Sequence, residues 1–142
     1  MAVRQAQVPF YWQPLTDDQK ATLVAGLKRL THHSVELHCD HRNVDCQFLA
    51  TDFLDVFQDA DWEIKRFTRS TSIDLSGLRV FGSADLDADI TAVKEALRTT
   101  LRIVIPMNNE VAPDELVATA EITVLVGRKP SGIVLPPMKQ RT

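Results

Sequence analysis

The stretch SVELHCDHRNVDCQFLATDFLDVFQDADWEIKRFT, residues 34–68, decides the fold. Val35, Leu37 and Cys39 alternate with Glu36, His38 and Asp40, the period-two pattern of a strand. The charged face implies a side that is incompletely covered, or one that lies under polar partners near the strand's end. Asp40 to Asp45 is a polar loop. Cys46, Leu49, Ala50, Phe53, Phe57 and Ala60 then recur at helical spacing, with Asp45, Asp52, Asp55 and Asp59 on other faces. Trp62 to Thr68 reads as a second strand. A strand, a helix of about four turns and a strand most simply form a right-handed crossover with parallel pairing.

Upstream, Thr16-Asp17-Asp18-Gln19 opens a helix. Thr16 caps it, Gln19 reaches back, and two aspartates face the positive end of the dipole. Leu23, Val24, Leu27 and Leu30 form its stripe, and it is expected to end near Leu30. Downstream, Gly77 to Gly82 holds a short third strand. Asp85 or Asp87 caps a third helix with the stripe Leu86, Ile90, Val93, Leu97 and Leu101. Arg102 to Pro106 is expected to be a fourth strand, because Ile103-Val104-Ile105 is strongly β-forming. Glu121 to Gly127 is a fifth. This order predicts an α/β fold: a three-layer Rossmann-like sandwich around a mostly parallel sheet of about five strands. One domain spans residues 16–130. An extended aromatic arm, residues 1–15, precedes it, and a proline-containing tail, residues 131–142, follows it.

Composition bounds the function. The chain has 142 residues, 44% hydrophobic and 25% charged, with net charge -3, enough for one sizeable core. Mild acidity argues against nucleic acid, whose phosphates need a basic surface. No apolar run approaches the roughly 20 residues of a membrane-spanning helix. No signal-peptide region follows Arg4, so a cytoplasmic location is expected. Cys39 and Cys46 make no disulfide framework and read as two thiols.

Several quoted segments form a pattern: Leu15-Thr16-x-x-Gln19, Cys46-Gln47-Phe48-Leu49-Ala50, Ala60-Asp61-Trp62-Glu63-Ile64, Gly77-Leu78-x-Val80 and Val126-Gly127-Arg128-Lys129-Pro130. The chain resembles, over most of Leu15 to Pro130, the soluble domain of small uncharacterised bacterial proteins. Many of those carry transmembrane helices just before the first helix, whereas this sequence has none. The resemblance implies a bacterial or phage source and a Rossmann-like fold. It brings no catalytic residue, since these are packing and turn motifs.

Ligands of open parallel sheets sit at the carboxyl ends of strands where the strand order reverses. With the first and third strands adjacent, that crevice lies between the loops Asp40–Asp45 and Gly82–Asp87. The candidate ligand-binding residues are therefore His38, Asp40, His41, Arg42, Asn43 and Ser83. His38 and His41, with Cys39, Asp40 or Cys46, have zinc-type side chains, but they alternate faces and lack a second ligand pair, so no metal is expected. Cys46 near a helix start, with His41 as base, has the elements of a nucleophile. A small buried residue in the apolar stripe is the favoured reading of it. A helix N-terminus beside Arg42 suits an anion, which Asp40 and Asp45 oppose. No phosphate-loop, dinucleotide or nucleophile-elbow motif is present, and no cofactor is expected.

The remaining signal lies in the appendages. Phe10, Tyr11 and Trp12 sit between Pro9 and Pro14, so they cannot all face the domain. One or two pack as an anchor, and the rest are candidate interaction residues for a partner subunit or a membrane surface. The favoured function is a non-enzymatic protein-interaction or self-association module. The alternative is a small-ligand, anion or nucleotide sensor, or a small enzyme, using the loop after the first strand.

Overall fold

The computed structural model describes residues 12–40, 43–71, 76–107 and 119–129. Helix α1 runs Asp17–Lys28, strand β1 Ser34–Asp40, helix α2 Val44–Asp59 and strand β2 Glu63–Thr71. Strand β3 runs Leu78–Gly82, helix α3 Asp87–Leu101 and strand β4 Ile122–Val126. A 3₁₀ turn, Ala84–Leu86, leads into α3.

Local chemistry explains the ends of these elements. The α1 capping box forms: Gln19 N–H donates to the Thr16 hydroxyl, and the Thr16 N–H donates to the Gln19 side chain. Helix α2 ends in two reversed bonds, Trp62 N–H to the Phe57 carbonyl and Asp61 N–H to the Gln58 carbonyl. Asp61 sits between them at φ 67°, a left-handed position normally held by glycine. Neither Asp85 nor Asp87 caps α3. Its N-cap is Leu86, with no side-chain bond, because the 3₁₀ turn occupies the position that a capping aspartate would need.

The sheet order is β2-β1-β4-β3. β1 pairs in parallel with β2 and β4, as the strand–helix–strand reading requires, and β3 runs antiparallel to β4. Two expectations are corrected here, and a third is not seen among the described residues. First, β4 lies between the first and third strands, so these are not neighbours. Second, Ile103–Ile105 joins no strand: Arg102 ends α3 in the left-handed region at φ 56°, and Val104 is 89% exposed. The sheet of the described residues has four strands, not five. Third, the helices of the described residues share one face. Leu37, Val124 and Val80 lie side by side in register and all face the core. α2 packs on β1, β2 and β4, α3 packs on β3, and α1 rests on both helices. The described residues thus show helices on one face of a mixed sheet, and the expected three-layer arrangement is not seen among them.

The expected apolar stripe of α2 is fully inside: Cys46, Leu49, Ala50, Phe53, Phe57 and Ala60 are each at most 1% exposed. Each large side chain among them contributes about 1.5–3 kcal/mol on burial. The trace of β2 slips by one residue beside Val35/Glu36. This lets both Ile64 and Phe67 pack against the core while Arg66 joins Glu36 on the opposite face.

Candidate functional site

The sequence-predicted residues do not converge. β3 is antiparallel to β1, so its end lies at the rim where β1 begins: Gly82 pairs with Ile122, and Ile122 with Val35. Ser83 follows Gly82, whereas Asp40 ends β1. The two belong to opposite rims, and the crevice expected between them does not exist. His41, Arg42, Phe10, Tyr11 and the tail lie outside the described residues. Three polar groupings take the place of the single expected site.

At the carboxyl rim, Asp40 is buried and accepts a 3.4 Å bond from the Asn43 side chain. Asp45, in the first turn of α2, accepts the Trp12 N–H at 2.6 Å. The Trp12 indole donates to the Gly127 carbonyl at 2.8 Å, and Lys129 stands 5.8 Å from its ring centroid. Trp12 is only 6% exposed, so it anchors the segment before α1. The Cys46 thiol donates to the same carbonyl at 3.2 Å. Burial, with the Asp45 and Asp40 charges adding to it, pushes this thiol up to about 12. It is therefore a protonated packing group, not a nucleophile.

On the face away from the helices, Glu36 is fully buried. Its Oε1 accepts from Ala120 N–H at 2.8 Å, from the Thr119 hydroxyl at 2.9 Å and from Thr119 N–H. Its Oε2 accepts from His38 Nε2 at 2.6 Å and Arg66 Nη2 at 2.9 Å. Burial alone would raise its pKa. The bonds from His38, Thr119 and Ala120 outweigh burial and hold the carboxyl at about 2. His38, 3% exposed, is lowered too: burial lowers its pKa against the pull of Glu36, favouring the neutral ring. A carboxylate saturated by five donors organises the loop before β4 and has little capacity left as a base.

At the amino rim, His33 Nε2 lies 2.7 Å from Asp89 and its Nδ1 lies 3.5 Å from Glu121. Ser34 N–H donates to Glu121 at 3.0 Å, and Glu121 N–H donates back to the Ser34 hydroxyl at 2.9 Å. These bonds tie the starts of β1, α3 and β4 together. Beside them, a cleft of about 390 Å³ is lined by Phe81, Ser83, Asp85, Leu86, Glu121 and Thr123 among others. Ser83 donates its hydroxyl to Asp85.

Sequence reasoning missed two features. Arg66 and Thr119 gather on Glu36 from 30 and 83 residues away, and the only sequence signal was the charged face of β1. Val44 and Phe48, at the start of α2, are 60% and 62% exposed. Their signal was that they fall outside the helix's apolar stripe. Among the described residues, no group of three or more His, Cys, Asp or Glu side chains is placed to hold a metal ion, and no helix is long and apolar enough to cross a membrane.

Comparison with protein-family models, curated proteins and solved structures finds no match for this chain.

Proposed function

We propose that the chain is a non-enzymatic interaction module that pairs with a second copy of itself through the outward face at the start of α2. The observation that carries this reading is the exposure of Val44 and Phe48, four residues apart and therefore adjacent on the helix surface. Gln47 and Thr51 flank them, so the strip carries no charge that would repel a copy of itself. Of the nearby carboxylates, Asp45 accepts the Trp12 N–H and Asp52 accepts the Leu15 N–H, while the exposed Asp55 lies one turn beyond Thr51 on the same side. An uncharged apolar strip suits an isologous contact, where one patch serves both partners about a two-fold axis. The enzyme reading loses its best candidates, because Cys46 stays protonated and Glu36 is saturated. Cys39 and Cys46 are both buried and form no disulfide, which suits a reducing compartment, and we place the chain in the cytosol.

Two differently tagged copies, co-expressed, test the reading. Capture of one tag is expected to bring down the other, and Phe48→Glu with Val44→Lys is expected to abolish this. No co-capture of the wild-type copies, or co-capture unchanged in the double variant, would overturn it.

A further inference from the structure

We infer that the contact between two copies is reciprocal: Phe48 of each seats in the other copy's cleft beside the Trp12–Leu15 segment, with the two α2 helices antiparallel. This rests on the self-association proposed for the start of α2 and adds to it a receiving site and a helix order. The cleft encloses about 200 Å³ and is lined by Trp12, Pro14, Leu49, Leu101, Ile103 and Lys129 among others. That is smaller than the roughly 300–1,000 Å³ of small-molecule sites and suits one inserted side chain. Knob and hole are neighbours on one surface, as an isologous contact requires. Asp45, Phe48 and Asp52 share a side of α2 by their spacing, and the two carboxylates hold the backbone of Trp12 and Leu15 beside it. Val104, 89% exposed, follows Ile103 of the cleft wall.

Charge complementarity fixes the helix order. Asp55 is exposed, two turns beyond Phe48 on the same side of α2. Lys129 is half-buried at the cleft, over the Trp12 ring and within reach of the Asp45 charge, so it stands by the first turn of α2. Were the two helices parallel about the two-fold axis, each Asp55 would face the other copy's Asp55, and like charges repel. In the antiparallel order Phe48 lies level with the other copy's Leu49. The seven residues from Phe48 to Asp55 then carry that carboxylate about 10 Å towards the amino end of the other α2. Lys129 stands there, so two Asp55–Lys129 pairs form, one on each side of the axis.

Sedimentation equilibrium of charge variants of the full chain tests the pairing. Asp55→Lys alone and Lys129→Asp alone are each expected to raise the dissociation constant about tenfold, because each dimer then holds two like-charge pairs. Mixing the two variants in equal amounts is expected to restore the wild-type affinity, since the mixed dimer holds two opposite-charge pairs. Ile103→Asp, in the cleft wall and outside α2, is expected to weaken association about tenfold or more. A wild-type dimer whose mixed variants associate no better than either alone, or whose affinity is unchanged in Ile103→Asp, would overturn this contact and leave self-association standing. A wild type that never dimerises would overturn both. Far-UV circular dichroism matching the wild type establishes that each variant is folded.

Discussion

Oε2 of Glu36 lies 2.6 Å from Nε2 of His38, two residues further along the same buried strand face, and both groups shift below their ordinary pKa values, which favours the charged carboxylate and the neutral ring. The bond requires an ionised carboxylate and is satisfied by a neutral ring donating its Nε2–H. Burial enforces the second condition, and five donors enforce the first.

For Glu36 the sign follows from a folded pKa of about 2 against an ordinary value of 4.5. Its contribution is complete above the unfolded value and is lost as pH falls towards 2. The shift corresponds to roughly 3 kcal/mol at 1.36 kcal/mol per unit. Denaturant unfolding is expected to show this loss between about pH 5 and pH 2 in the wild type. In Glu36→Gln it should be largely absent, with neutral-pH stability lower by about 3 kcal/mol or more. An unchanged acid limb in the variant would contradict the assignment.

The two buried histidines are expected to act with opposite signs. His33 bridges Asp89 and Glu121. Burial pulls its pKa down, but the two carboxylates prevail and raise it, so its stabilisation is full below the unfolded value and lost as pH rises through the folded one. His38 is held neutral, so its contribution is present above the unfolded value and lost as pH falls below it. Comparing His33→Asn and His38→Asn with the wild type from pH 5 to 8 checks this. The first variant should be most deleterious at the acid end and the second at the alkaline end.

Much of this fold was legible because its signals are local. The Ser34–Thr68 unit announces itself by a period-two strand followed by a 3.6-period helix, and the first helix by Thr16 and Gln19. What was not legible depends on distant partners. The direction of β3 is set by where the chain lies after leaving β2, which no short-range pattern records. Ile103–Ile105 has strand chemistry but meets no strand among the described residues, and the left-handed Arg102 sends it elsewhere. The expected site failed for the same reason: it assumed that neighbours in order were neighbours in space, and β4 intervenes. Glu36 showed only as one charge in an alternating pattern, since its partners Arg66, Thr119 and Ala120 come from two other segments.

Trp12 fastens the segment before α1 to the carboxyl rim through two bonds and a buried ring. Trp12→Ala is expected to cost about 3–5 kcal/mol. Trp12→Phe keeps most of the packing and leaves the Gly127 carbonyl short of one donor, for about 1–3 kcal/mol. Chemical denaturation gives both values, and a loss under 1 kcal/mol in the alanine variant would show that the segment is not docked.

Backbone geometry yields a pair of opposite effects. A Cβ at Gly82 would stand 2.6 Å from Ile90 Cδ1 and 3.0 Å from the Glu121 carbonyl oxygen, so Gly82→Ala is expected to destabilise by about 1–3 kcal/mol. Asp61→Gly removes a left-handed side chain and is expected to stabilise by up to about 1 kcal/mol. Thermal melts of the two variants should move in opposite directions.

Sedimentation equilibrium over a micromolar concentration series tests self-association through Val44 and Phe48 most directly. The wild-type chain is expected to approach twice its 15.9 kDa mass, and Phe48→Glu to remain at the single-chain mass throughout. A wild type that stays at 15.9 kDa across the series, or a Phe48→Glu chain that still doubles, would contradict the account.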